Sequence, residues 1–269
     1  MAKENRSAKA ARQAAAQARK AAEADLKSRD RKIRLVGGAV VVLIMAGLLA
    51  IPFIQGRSSG TAVDTAAALP KGVSSDTYGV KVGTAWNSPD AESIPLLQVW
   101  EDFQCPACAS FEAASGDTIV QLAEEGKVRL EFRPTIFLDV NLKAPNTAAG
   151  NPNSSLYATM AFGCAVDQDR GTQFHKALFA AQPSEGRGYS VSDLVTIAGL
   201  AGVTDIPTFT ECVSSKKYEG WVNNSYDAFS KEGVSATPTV ILNGEELGPD
   251  LIRDPAAFTA AIEAAGATK

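Results

Sequence analysis

The chain has 269 residues, 45% hydrophobic and 21% charged, an ordinary globular composition with room for one domain of about 150–200 residues plus an appendage. Charge is unevenly spread: residues 1–34 carry 11 Lys/Arg against 4 Asp/Glu, whereas the remainder carries 15 against 26. The acidic character of that remainder excludes nucleic acid as its partner.

From Leu35 to Gly56 no residue is charged, and the run is long enough to cross a bilayer, which takes about 20 apolar residues. It predicts one transmembrane helix over residues 35–56 behind a basic cytoplasmic tail, residues 1–34, because positive flanks stay inside. The basic lead is long and no small-x-small site follows the apolar run, so an uncleaved anchor is expected rather than a removed signal peptide. Residues 57–77 are small and polar and read as a flexible linker, with a folded part expected over residues 78–268.

Within that part, IPLLQVW (94–100) has strand length and composition, and the segment after it carries helical spacing up to a stop at Gly126. KVRLEFRPTIFL (127–138) reads as a second strand. Helical character then dominates from Leu156 to Lys231, which places a helical insertion at about 145–232. Extended character returns over 237–247, where Asn243-Gly244 is a two-residue hairpin signal, and the chain closes on a helix. The order predicts an α/β fold in which a small mixed sheet is flanked by helices and a helical block separates its two halves.

Cys105-Pro106-Ala107-Cys108 stands where the first strand turns into the first helix. A thiol at a helix N-terminus meets unpaired backbone N–H groups and the positive end of the helix dipole, which favour the reactive thiolate. Pro106 suits the first helical position, having no N–H to leave unpaired. The spacing assigns Cys105 as the exposed, attacking sulfur and Cys108 as the shielded sulfur that resolves a mixed disulfide. Half of a zinc site, or a purely structural bridge, is the competing reading; a zinc site needs two more ligands, and one His with two Cys at unrelated spacing do not supply them, so no metal is expected there.

These residues resemble the DsbA-like thioredoxin-fold oxidoreductases, in particular the membrane-anchored type of Gram-positive and actinobacterial envelopes. The matching stretches are EDFQCPAC (101–108), which includes Phe103, together with FHKALFA (174–180) and GVSATPTVILNG (233–244). The resemblance implies a thioredoxin-like fold, and it implies that Thr237-Pro238 is a cis-proline loop presenting backbone to a substrate peptide beside the cysteines. It also implies a second, structural disulfide in the helical block, for which Cys164 and Cys212 are the remaining cysteines; the residues alone leave open two buried free thiols. Two positions depart from the family pattern. Val99 stands where many members carry a buried acid, with Glu101 and Asp102 nearer the motif, and Pro106-Ala107 lacks the histidine of the strongly oxidising relatives.

His175 lies among apolar neighbours and is expected to pack rather than to act as acid or base. A lone histidine without a supporting nucleophile motif such as GxSxG disfavours a hydrolase. The expected activity is disulfide donation to thiols of secreted or envelope proteins, without a cofactor, at the outer face of the cell membrane. A quinone-linked membrane protein is the expected reoxidising partner. Reduction or isomerisation is the alternative direction, and a copper-delivery or client-binding module is disfavoured by the scarcity of Met and His, three and one in the chain.

Overall fold

The computed structural model describes residues 66–267. The predicted tail, the transmembrane helix and the first part of the linker therefore lie outside the described residues. Among the described residues no helix is long and apolar enough to cross a membrane.

Five strands, β1 (Val80–Val82), β2 (Leu96–Glu101), β3 (Arg129–Pro134), β4 (Thr239–Leu242) and β5 (Glu245–Glu246), form one sheet in the order β1-β3-β2-β4-β5. β2 and β3 run parallel, and the other pairings are antiparallel. Every residue of β3 is buried, as is all of β2 except Leu96 and Gln98, the pattern of central strands covered on both faces. Asn243 and Gly244 both adopt positive φ, 51° and 90°, and close the β4–β5 hairpin. Asn243 also accepts from Leu96 N through Oδ1 and donates through its own N–H to Leu96 O, fixing the start of β2 against the turn.

The crossover from β2 to β3 is a helical run in three parts: α1 (Pro106–Phe111), a π-turn (Glu112–Gly116) and α2 (Asp117–Glu124). After β3 come two short helices, α3 (Leu138–Asn141) and α4 (Lys143–Ala148), in place of the strand residues expected up to 138. Five longer helices follow: α5 (Ser154–Val166), α6 (Gly171–Ala180), α7 (Val191–Leu200), α8 (Ile206–Ser214) and α9 (Glu219–Lys231). α10 (Pro249–Ile252) and α11 (Pro255–Ala267) close the described chain.

α5 is the axis of the helical layer. It is apolar around its whole circumference and buried from Ser154 to Ala165 except at Tyr157, which suits a helix surrounded by others. Gly163 permits that closeness, since a Cβ there would come within 2.8–2.9 Å of Pro70, Tyr218 and Trp221. Cys164 on α5 and Cys212 on α8 are joined by a disulfide across a sequence separation of 48 residues.

Order begins before the Tyr78 boundary read from the sequence. Pro70 is buried, Val73 pairs with Val80, and Tyr78 O accepts from Trp221 Nε1 at 2.8 Å. Small polar residues hid this segment, because its apolar contacts, Leu69, Pro70 and Val73, follow no helical or strand period. The three-residue strand β1 was likewise too short to show alternation.

Replacing Cys164 by Ala opens the closed loop. The expected loss is roughly 4 kcal/mol of stability by the chain-entropy argument. Thermal melting of wild type and variant would show a lower Tm, with alkylation of Cys105 unchanged.

Candidate active site

β2 ends at Glu101, and Asp102–Gln104 turn the chain so that Cys105 becomes the N-cap of α1, in extended backbone (φ −77°, ψ 117°), with Pro106 at the first helical position. Cys105 N donates to Asp102 O at 2.9 Å, and Ala109 N to Cys105 O at 3.1 Å. Both cysteines are free thiols here. Cys105 retains 7% exposure and Cys108 none.

The two sulfurs differ sharply in acidity. The hydrogen bond from the Cys108 thiol is the main reason the Cys105 thiol is brought down to about 6. Burial opposes this, and the Thr237 side chain with the backbone N–H groups of Cys108 and Ala107 adds to it. Burial pushes Cys108 well above the ordinary thiol value, and the charge of Glu101 adds to that rise.

Thr237-Pro238 is a cis peptide, and Cys105 Sγ donates to Thr237 O at 3.3 Å. The hydroxyl of Thr237 is buried without another partner, so a thiolate at Cys105 gives that donor its acceptor. Of the residues picked out in the sequence, Cys105, Pro106, Ala107, Cys108, Thr237 and Pro238 thus fall in one place. Phe103 lies beneath them, fully buried against Phe162, Phe179 and His175. Cys164 and Cys212 are in the helical layer, paired with each other.

The turn carrying Cys105 is held by polar side chains that motif reading did not find. Asp102, completely buried, accepts from Gln104 N (2.9 Å), Ser155 Oγ (2.6 Å) and Leu138 N (3.0 Å). Gln104 donates to Asp139 (2.9 Å) and Ser155 (2.7 Å) and accepts from Asn146 (2.7 Å). Gln182 Nε2 donates to Phe103 O at 2.9 Å and to Cys105 O at 3.0 Å. Burial raises the Asp102 carboxyl to about 7 despite its three donors. The one visible sign was an acidic pair, Glu101-Asp102, in a run otherwise apolar.

Val99 is a fully buried apolar residue. The buried acid beside the cysteines is instead Glu101, raised by its burial to about 8. His175 packs among aromatic rings as expected, stacked on Phe132 at 3.9 Å, but its Nε2 also meets Glu101 Oε2 at 2.8 Å. Burial keeps this histidine below its ordinary value, hence neutral.

A strand-to-helix dithiol facing a cis-proline turn, on a mixed sheet with a helical layer between β3 and β4, defines a thioredoxin-type redox site. The family model described as Thioredoxin matches residues 89–264, and the chain belongs to that family. Solved structures narrow this to the DsbA-like thiol-disulfide oxidoreductases, the class of enzyme this chain represents. The MdbA thiol-disulfide oxidoreductase of Actinomyces oris is 26% identical with a TM-score of 0.60, covering 73% of this chain and 92% of that one. The disulfide bond oxidoreductase DsbG of Mycobacterium tuberculosis is 29% identical with a TM-score of 0.56, covering 71% and 93%. DsbA of the same organism is 28% identical with a TM-score of 0.56, covering 70% and 92%. No curated protein matches the sequence.

Three outcomes follow from the geometry. The iodoacetamide reaction of Cys105, followed by mass spectrometry against pH, is expected to rise with a midpoint near 6. In Cys108→Ala the midpoint should move up toward the free-thiol value of about 8.5, because the largest stabilising donor is gone. Asp102→Ala, which strands three buried donors, is expected to lower stability by about 3 kcal/mol or more in urea unfolding.

Proposed function

We propose that this enzyme is a disulfide donor to secreted or envelope proteins, using a Cys105–Cys108 disulfide at the outer face of the cell membrane. The observation that carries the reading is the position of Cys105, at the head of a helical run and beside Thr237, which with the Cys108 thiol brings its pKa down to about 6. A protein that stabilises the Cys105 thiolate stabilises its own reduced form, which makes the disulfide a stronger oxidant.

In the proposed cycle a substrate thiolate attacks Cys105 Sγ, the Cys105–Cys108 bond breaks, and Cys108 leaves with the electron pair and takes up a proton. A second substrate thiolate then attacks the substrate sulfur of the mixed disulfide. Cys105 departs as the stabilised thiolate, and the substrate leaves oxidised by two electrons. Low acidity at Cys108 favours its protonation once released, which discourages return attack on the mixed disulfide. The peptide segment around the attacked sulfur pairs with backbone beside Thr237, an interaction with little side-chain demand that suits many clients.

The charge-free run over residues 35–56 supports anchoring with the domain outside, and reoxidation then falls to a quinone-linked membrane protein.

Equilibration of the full chain with glutathione gives the test. A pKa of about 6 lies between thioredoxin, about 7, and the strongly oxidising DsbA, about 3.5. The expected potential is accordingly between their values of about −270 and −120 mV, and above about −200 mV for a donor. A value near −270 mV would make the enzyme a reductase and overturn the reading.

A further inference from the structure

Glu101, Glu112 and His175 form a polar cluster that the exchange steps leave unused. Each comes from a different element: Glu101 ends β2, Glu112 opens the π-turn, and His175 lies on α6. His175 Nε2 is 2.8 Å from Glu101 Oε2, and Nδ1 is 3.7 Å from Glu112 Oε2.

Several features of the chain serve to build this cluster. The π-turn interrupts the helical run where Glu112 turns inward, and such turns are frequent at functional positions. Gly116 leaves the space that the Glu112 carboxylate fills, since a Cβ at that residue would fall on Glu112 Oε2. Phe103, Phe132, Phe162 and Phe179 box the imidazole on several sides and fix its orientation. A cavity of about 320 Å³, lined by Glu112, Gly116, His175 and Phe179, adjoins it.

The cluster is nevertheless incomplete as it stands. Oε1 of Glu101 and Oε1 of Glu112 are both buried without a hydrogen-bond partner. The nearby ammonium of Lys176 is engaged with Asp117, at 2.5 and 2.8 Å. Burial raises the carboxyls of both Glu101, to about 8, and Glu112, so as it stands the pair holds protons in place of a partner cation. A divalent cation that displaces those protons would give the buried oxygens a positive partner.

We propose that Glu101, Glu112 and His175 are the protein ligands of a divalent metal ion of the Zn²⁺ class, bound separately from the cysteine pair and reached through the adjoining cavity. One ligand atom from each residue lies within 4.8 Å of the others. A zinc ion with bonds of about 2.0–2.1 Å sets its ligand atoms roughly 3.3 Å apart, so His175 Nε2 and Glu101 Oε2 are already close enough, and Glu112, which now faces the opposite ring nitrogen Nδ1, must turn across to the Nε2 side. Carboxylate oxygens and an imidazole, without sulfur, suit Zn²⁺ rather than Cu(I). Three protein ligands leave a fourth position open to water from the cavity.

The test uses the purified full chain with Cys105 and Cys108 oxidised to the disulfide, so that no free thiol can ligate. Titration with Zn²⁺ is expected to show one ion per chain, bound at least tenfold more weakly by Glu112→Gln. X-ray absorption of the zinc-loaded wild type, which needs no variant to fold, should show nitrogen and oxygen neighbours at about 2.0–2.1 Å and no sulfur. If the oxidised wild type binds no zinc, the two carboxyls keep their protons and the proposal fails. A sulfur neighbour, or binding unchanged in a folded Glu112→Gln, would overturn it equally.

Discussion

The hydrogen bonds gathered by the buried carboxylate of Asp102 are the constraint on which the site rests. One residue of the turn before Cys105 takes donors from the turn itself, from the start of α3 and from the start of α5. Burying a carboxyl is costly unless it is well bonded, so only one placement of the helical layer satisfies it. The sheet alone would leave the residues between β2 and α1 without fixed support. The layer built around α5 supplies that support through Ser155, Asn146 and Gln182.

A second consequence concerns the sulfurs. Cys105 and Cys108 are separated by two residues, yet one is made acidic and the other reluctant to ionise. The contrast comes from position: Cys105 caps the helix and faces Thr237, whereas Cys108 is fully enclosed one turn further on. Each sulfur depends on the other, since the protonated Cys108 thiol is the main donor to the Cys105 thiolate. The pair behaves as a polarised unit.

Much of this was legible in the sequence, for identifiable physical reasons. Apolar strand length at 94–100, the Asn243-Gly244 turn and the helical spacing of the middle third each reflect a single dominant period or a single turn geometry. The Cys-Pro-Ala-Cys motif was legible because a dithiol at a strand-to-helix turn has few other uses. Gln104, Asp139, Asn146 and Ser155 were not, because polar residues that find each other only in three dimensions leave no periodic trace. Glu112 was hidden for a related reason. Helical spacing predicts a regular turn there, and the π-turn that rotates it inward depends on Gly116 and on neighbours far along the chain. The Thr237-Pro238 contact, by contrast, came only through resemblance, since no local pattern encodes a cis bond.

Cys105 and Thr237 are 132 residues apart, with the whole helical layer between them. A chain made from its N-terminus therefore displays both cysteines long before the loop that faces them exists. Until β4 docks beside β2, Cys105 lacks its contact to Thr237 and has only the Cys108 thiol and the backbone N–H groups of Ala107 and Cys108 to lower its pKa. The last part of the thiolate's surroundings is therefore also among the last parts of the chain to be made.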